Sequence, residues 1–317
     1  MNAPPAVGGN RLRWEDLPAE VQEAVEVAAG APVRAATSRP EGFSPGMASV
    51  LRLADGRSVF VKAVSAARNP DSPGMHRREA EILAALPDRV PAPRLLWSYD
   101  DGDWVALMTE AVDGVPPAQP WRPEQLDVFL RVAAQLVQVL TPTPVRARSV
   151  AERFADTFTG WRRMAAGPGG DADRLDPWAR ARLDRLAAIE QDWAGGAGGT
   201  CLLHADLRAD NVLLTRDGAV VVDWPHACVG AGWMDLLFAL PSIAMHGGGD
   251  PQQIWDRYPP GRAADPYAVT AVLAAAAGFF LRQGLQPPPP NLPTLRAFQL
   301  AQGEVAIDWL RRRLSGR

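Results

Sequence analysis

The chain has 317 residues, a formal net charge of −3 and two cysteines. Such a length exceeds what one hydrophobic core usually serves, so two packed lobes are expected. Arginines scattered among acids argue against a nucleic-acid surface, and two cysteines without a Cys-x-x-Cys spacing supply neither a disulfide framework nor a zinc site, which fits a reducing, cytoplasmic compartment.

The first ten residues, MNAPPAVGGN, lack the order of a signal peptide and read as a tail. Residues 13–29 carry helical periodicity led by Trp14 and Leu17, and β-patterned runs follow over about 33–112. Within SVLRLADGRSVFVKAV, Asp55-Gly56 signals a hairpin turn. Lys62 lies in the second run beside Val61, Ala63 and Val64, a costly place for an ammonium unless it is paired. The next helical segment, HRREAEILAAL, offers Glu79 and Glu81 as partners. Ile82, Leu83 and Leu86 fall three, four and seven residues after Glu79, so Glu79 shares the inward face and is the expected partner.

A Gly- and Pro-rich stretch, AVDGVPPAQPW, marks a boundary. Helices are expected beyond it at 123–140, 150–164 and 177–193, then a hairpin, then helices from 233 to the end, broken by HGGGDPQ and by Pro287 to Pro290. The apolar run 267–281 is shorter than a membrane span and reads as a buried helix. The basic end, RRRLSGR, reads as cations at a helix C-terminus. Strands first and helices later predict an α+β, two-lobed fold, with a small β-rich lobe over 1–112 and a larger, mainly helical lobe over 113–317.

The most informative stretch is HADLRADNVLL, followed by VVVDW. Residues 211–214 and 219–223 are strand-like around Asp217-Gly218, which predicts a hairpin. If those two residues form its loop, Arg216 faces Ala219 and Val212 faces Asp223, with Asn211 one step further out. Asn211 and Asp223 then meet at the open end, shortly after Asp206. Phosphoryl transfer from Mg·ATP needs a carboxylate near the acceptor hydroxyl and oxygen ligands for the metal; Asp206 suits the first need, Asn211 and Asp223 the second.

These motifs resemble the catalytic loop and metal-binding segment of the aminoglycoside phosphotransferase and choline kinase family, relatives of protein kinases. The resemblance implies a protein-kinase-like fold, ATP and Mg²⁺ as cofactors, Asp206 as catalytic base, and Asn211 and Asp223 as metal ligands. Lys62, held by Glu79, would grip the α- and β-phosphates. The main chain of Glu110 and Val112, in DWVALMTEAVDG, would take adenine. Ser44, Gly46 and Ser49, in GFSPGMASV, could bond phosphate or simply form a surface turn. Asp235 would brace the catalytic loop by accepting backbone N–H bonds, although a plain helix cap is nearly as good an account, and His204 would hold the same loop. Ala205 stands where the family usually has Gly.

The acceptor would be a small-molecule alcohol, with no nucleic acid or membrane as partner. Aminoglycosides, other cationic antibiotics, macrolides, choline-like amines and sugars all stay open. Asp156, Asp250, Asp256 or Asp265 could meet an amine, or lie on the solvated surface, and the eleven tryptophans could wall a pocket or fill the core. Two other readings remain: a kinase-like nucleotide-binding regulator, and a hydrolytic metal centre of His204, Asp206, Asp223 and His226.

Overall fold

The structure, a computed structural model, describes residues 4, 11–39, 42, 45–167 and 170–315. It opens with a 3₁₀ turn at Trp14–Asp16 and α1 at Ala19–Ala29. The helix expected over 13–29 is therefore interrupted: Leu17 is extended ahead of Pro18, as the residue before proline favours. Gly30, at φ 72, ends α1 in the left-handed conformation.

Five strands form one antiparallel sheet in the order β1-β2-β3-β5-β4: β1 Val33–Ser38, β2 Met47–Leu53, β3 Ser58–Ser65, β4 Leu95–Asp100 and β5 Trp104–Glu110. Helix α2, Ser72–Ala85, lies between β3 and β4 in sequence. Residues 54–57 turn β2 into β3, with Gly56 at φ 89. Along β3, Val59, Val61 and Ala63 join Val21 and Val25 of α1 in one core, while Phe60 and Lys62 face a cleft on the other side. The period of two along a strand is what aims Lys62 there.

After β5 the chain crosses into helices α3 (Pro123–Val139), α4 (Val150–Phe154), α5 (Gly160–Ala166), α6 (Pro177–Arg180), α7 (Leu183–Gln191) and α8 (Trp193–Gly196). Strand β6 (Cys201–Leu203) pairs β9 (Cys228–Gly230), and β7 (Val212–Thr215) pairs β8 (Gly218–Val221) between them. Helices α9 (Met234–Met245), α10 (Pro251–Asp256), α11 (Pro259–Arg262), α12 (Pro266–Gly284) and α13 (Leu295–Ser315) complete the larger lobe. The fold is mixed α+β, a β-sheet region followed by a helical one. The segment between the lobes is tied to the hairpin by paired hydrogen bonds of 3.0 and 2.8 Å between Val115 and Leu214. A Cβ on the neighbouring Gly114 would come within 2.9 Å of the Leu214 carbonyl oxygen, so this approach needs glycine.

Helix α12 is the spine of the larger core, with Ala271, Val272 and Ala274 fully enclosed. At 19 residues it is long and apolar enough to cross a membrane by length and composition, but 67% of that stretch is buried within the protein. The expected helix 150–164 divides into α4 and α5, and the interruption lets Phe154 and Phe158 stack at 4.9 Å. The expected helix 177–193 divides into α6, α7 and the start of α8. At the basic end, Arg311 pairs Asp176 and Arg312 pairs Asp250, so these cations clamp α13 to the domain as well as completing its last turn.

Candidate active site

A cavity of about 620 Å³ separates the lobes and reaches from β3 and β5 to α12 and α13. Lys62 enters it from β3 and donates to Glu79 at 2.8 and 2.9 Å and to Asp223 at 2.6 Å. Glu79 is 3% exposed on the inner face of α2, whereas Glu81 lies exposed. The Trp224 N–H adds a longer bond of 3.4 Å to Glu79. One ammonium thus joins a small-lobe helix to a large-lobe loop.

The charges explain one another. Burial opposes the ammonium of Lys62, yet Asp223 and Glu79 together hold its pKa above the ordinary lysine value. Burial also works against the Asp223 carboxylate, but Lys62 keeps it well below the usual carboxylate range. Glu79 is pushed up by burial against the pull of Lys62. These ions are tolerable in a part-enclosed cleft because each has an opposite charge in contact.

The β7–β8 hairpin differs in register from its sequence expectation. Thr215 faces Gly218 and Val212 faces Val221, so Arg216 and Asp217 form the loop, and Asp223 lies two positions further out than expected. Gly218, at φ 147, begins the second strand instead of closing the turn. Dihedral demand just after the turn, not within it, selected the glycine. The open end survives the shift: Val222 N–H donates to the Asn211 carbonyl at 2.9 Å, leaving Asp223 one residue beyond.

The loop after β6 is held from several sides. Asp235, on α9 and 4% exposed, accepts from the backbone N–H of His204 at 2.9 Å and of Ala205 at 2.7 Å. Burial pushes its pKa up, opposed by His204 and by these donors. Ala205 has φ 63 and Asp223 has φ 70, left-handed positions that are uncommon for residues with a Cβ. His204 is enclosed, with Nε2 bonded to the Val222 carbonyl at 3.0 Å and Nδ1 accepting from Asp206 N–H at 3.3 Å. Asn211 donates through Nδ2 to the Asp206 carbonyl at 2.8 Å and to Asp206 Oδ2 at 3.2 Å, which turns its Oδ1 away from Asp206.

Three groups of this region were not singled out from sequence. Arg208 bonds Asp206 Oδ1 and also Asp210, at 2.8 and 3.0 Å. Burial disfavours its charge, but the two aspartates hold its pKa above the ordinary guanidinium value. Its signal was available, an arginine midway between two aspartates of one loop. His76, one turn before Glu79, lines the cavity with Nε2 buried and unbonded; burial, aided by Lys62, pushes its pKa down to about 3. Arg153 reaches His226 Nδ1 at 2.7 Å, and burial lowers the pKa of both.

Other expected residues divide. Glu110 and Val112 line the cavity, the Glu110 carboxylate being paired with Arg94. Ser44 lies outside the described residues. Ser49 is 1% exposed on β2, away from the cavity, with its hydroxyl unbonded, so the structure does not place it at a phosphate. Gly46 packs on β3, where a Cβ would come within 2.6 Å of the Ala63 carbonyl oxygen. The four acids considered for an amine line no part of the cavity: Asp250 and Asp265 cap α10 and α12, Asp256 accepts from Gln252, and Asp156 is exposed. No tryptophan lines it either. The proposed His204, Asp206, Asp223 and His226 centre does not assemble: both ring nitrogens of His204 are engaged within the protein, and among the described residues no three His, Cys, Asp or Glu side chains are placed to share a metal.

The model of the phosphotransferase enzyme family, APH, matches residues 41–272. The chain belongs to that family. Its members' fold recurs among solved structures. A thermostable mutant of the aminoglycoside phosphotransferase APH(4)-Ia, in complex with AMP-PNP and hygromycin B, is 17% identical over 95% of this chain and 100% of its own, with a TM-score of 0.62. The aminoglycoside phosphotransferase APH(3'')-Id of Streptomyces rimosus, solved with ADP and streptomycin, is 18% identical over 82% of this chain and 98% of its own, with a TM-score of 0.52. The amicoumacin kinase hAmiN is 11% identical over 90% of this chain and 93% of its own, with a TM-score of 0.56. At these identities the likeness is one of fold. No individually curated protein matches the chain.

Proposed function

We propose that this phosphotransferase transfers the γ-phosphate of ATP to a hydroxyl of a small molecule, in the cytoplasm, with Asp206 as catalytic base. The observation that carries the reading is the contact of Lys62 with both Glu79 and Asp223 across the cleft, at 2.8 and 2.6 Å. Three ions from two lobes gather in a cavity that also holds Asp206 and Asn211. In this reading Lys62, fixed by Glu79, binds the α- and β-phosphates, and the main chain of Glu110 and Val112 takes adenine. Aminoglycosides, which two structural neighbours hold, fall within the range of possible acceptors.

The donor set fits Mg²⁺. Asn211 Oδ1 and the Asp223 carboxylate would be hard oxygen ligands for it beside the Lys62 ammonium. When bound, the metal would neutralise charge on the phosphates. Asp206 orients the acceptor hydroxyl and takes its proton as the acceptor oxygen bonds to the γ-phosphorus and the bond from that phosphorus to the β–γ bridging oxygen breaks, releasing ADP. Asn211 steadies Asp206 through Nδ2, and Asp235 fixes the loop that carries it. Catalysis is then chiefly positioning and electrostatics.

Calorimetry of nucleotide binding tests the assignment. Wild type should bind Mg·ATP, and Asp223→Ala should lose the Mg²⁺-dependent part of that affinity. Equal Mg·ATP affinity in the two proteins contradicts the metal assignment.

A further inference from the structure

The half of the cavity beyond Asp206 has a composition unlike the half that faces the sheet. It is walled by six phenylalanines, Phe154, Phe158, Phe238, Phe279, Phe280 and Phe298. Most of these make edge or stacked contacts with one another, from 4.9 Å between Phe154 and Phe158 to 6.3 Å between Phe158 and Phe279. Phe154, Phe238, Phe279 and Phe280 keep part of their surface open. Leu292 and Leu295 continue the apolar wall, and Gln299 and Gln302 add neutral polar groups.

Charge separates the halves further. The acids that line the cavity come from the catalytic loop and hairpin, from β5, and from α2 and its start: Asp71, Glu79, Glu110, Asp206, Asp210 and Asp223. Among the described residues, α4, α9, α12 and α13 contribute none. The one ion they bring is Arg153, just before Phe154. Its guanidinium bonds the His226 ring, and its charge meets no carboxylate among the described residues. A molecule with several ammonium groups would lose water against phenylalanine faces and meet a like charge there.

From this wall we infer that the acceptor is a largely apolar alcohol without a cluster of positive charge, packed on the phenylalanine faces and anchored through a carbonyl or carboxylate oxygen by Arg153. The inference rests on the phosphotransferase reading and narrows its substrate. Apolar walls with a few placed polar groups are the usual design of a pocket for such molecules, and a guanidinium suits a planar oxygen acceptor.

The test gives the full chain and Mg·ATP two panels, with phosphate gain read by mass and KM measured at low and high salt. One panel holds hygromycin B and streptomycin; the other holds macrocyclic lactones and hydroxylated aromatic or terpenoid alcohols, with and without a carboxylate. Turnover is expected in the second panel, with a KM that salt leaves nearly unchanged for the uncharged alcohols, since apolar contacts are not screened. Phe154→Ala and Phe279→Ala should each raise the acceptor KM by about tenfold or more while the KM for ATP holds. Arg153→Met should raise it only for acceptors bearing the carbonyl or carboxylate. A higher kcat/KM for either aminoglycoside than for every apolar alcohol overturns the inference while sustaining phosphate transfer. Absence of turnover across the apolar panel also overturns it. Failure of wild type to bind Mg·ATP would instead remove the underlying reading.

Discussion

The two halves of the cleft solve opposite problems. Against the sheet, ions crowd together, and each cation sits between two carboxylates: Lys62 with Glu79 and Asp223, and Arg208 with Asp206 and Asp210. Against α4, α9, α12 and α13 the wall is phenylalanine, with Arg153 as its single ion. On the reading proposed here, the contrast teaches that the chemistry of a phosphate donor is built into short, charged motifs, while acceptor choice is built from packing. A fold common to kinases of different antibiotics can therefore carry an acceptor wall of its own.

The sharpest way to break this comparison is to remove one cation from each half. Lys62→Met leaves Glu79 and Asp223 facing each other without their cation, which should cost about 3 kcal/mol of stability. Arg153→Met frees no carboxylate and should change stability by less than about 1 kcal/mol. Urea unfolding of the two variants measures both, and equal losses would show that the halves do not differ as described.

A pH experiment probes the same crowding. The folded pKa of His76, about 3, lies below its ordinary 6.5. Its neutral form therefore supports the fold above about pH 6.5, and that support is lost as pH falls from there toward 3, because the unfolded chain takes up the proton first. Denaturation midpoints across this window should fall less steeply in His76→Gln than in wild type; parallel curves would remove His76 from the account.

Ala205 is a smaller lever. At φ 63 its Cβ is strained, and Ala205→Gly should stabilise the protein by about 0.5–1 kcal/mol net of glycine's greater freedom when unfolded. A lower melting temperature would contradict this. The two thiols should show least of all. Burial pushes Cys201 up to about 11 and Cys228 up to about 12, so a thiol reagent at pH 7.5 should label neither until the chain unfolds.

Much of the charged half was legible in sequence because its logic is local. Lys62 stood in an alternating strand and Glu79 on a helical face, and the structure puts both side chains in the cleft. The hairpin was legible, but its register was not: Asp-Gly marked the turn, while the glycine was required one position later. The caps were missed: Asp176, Asp250 and Asp265 each precede a proline at a helix start, the local signal of a capping role, yet Asp250 and Asp265 were weighed only as amine-binding or surface acids. The acceptor wall was not legible. Its phenylalanines come from four helices and a loop spread from residue 154 to 298, and each looks locally like one more core residue.

The most direct test of the central claim compares Asp206→Asn with wild type, using product mass and ATP affinity once an accepted alcohol is in hand. The account predicts that the variant binds Mg·ATP within about threefold of wild type while turnover falls by about 10²–10⁴. Turnover in Asp206→Asn equal to that of wild type would contradict the claim that this carboxylate takes the acceptor's proton.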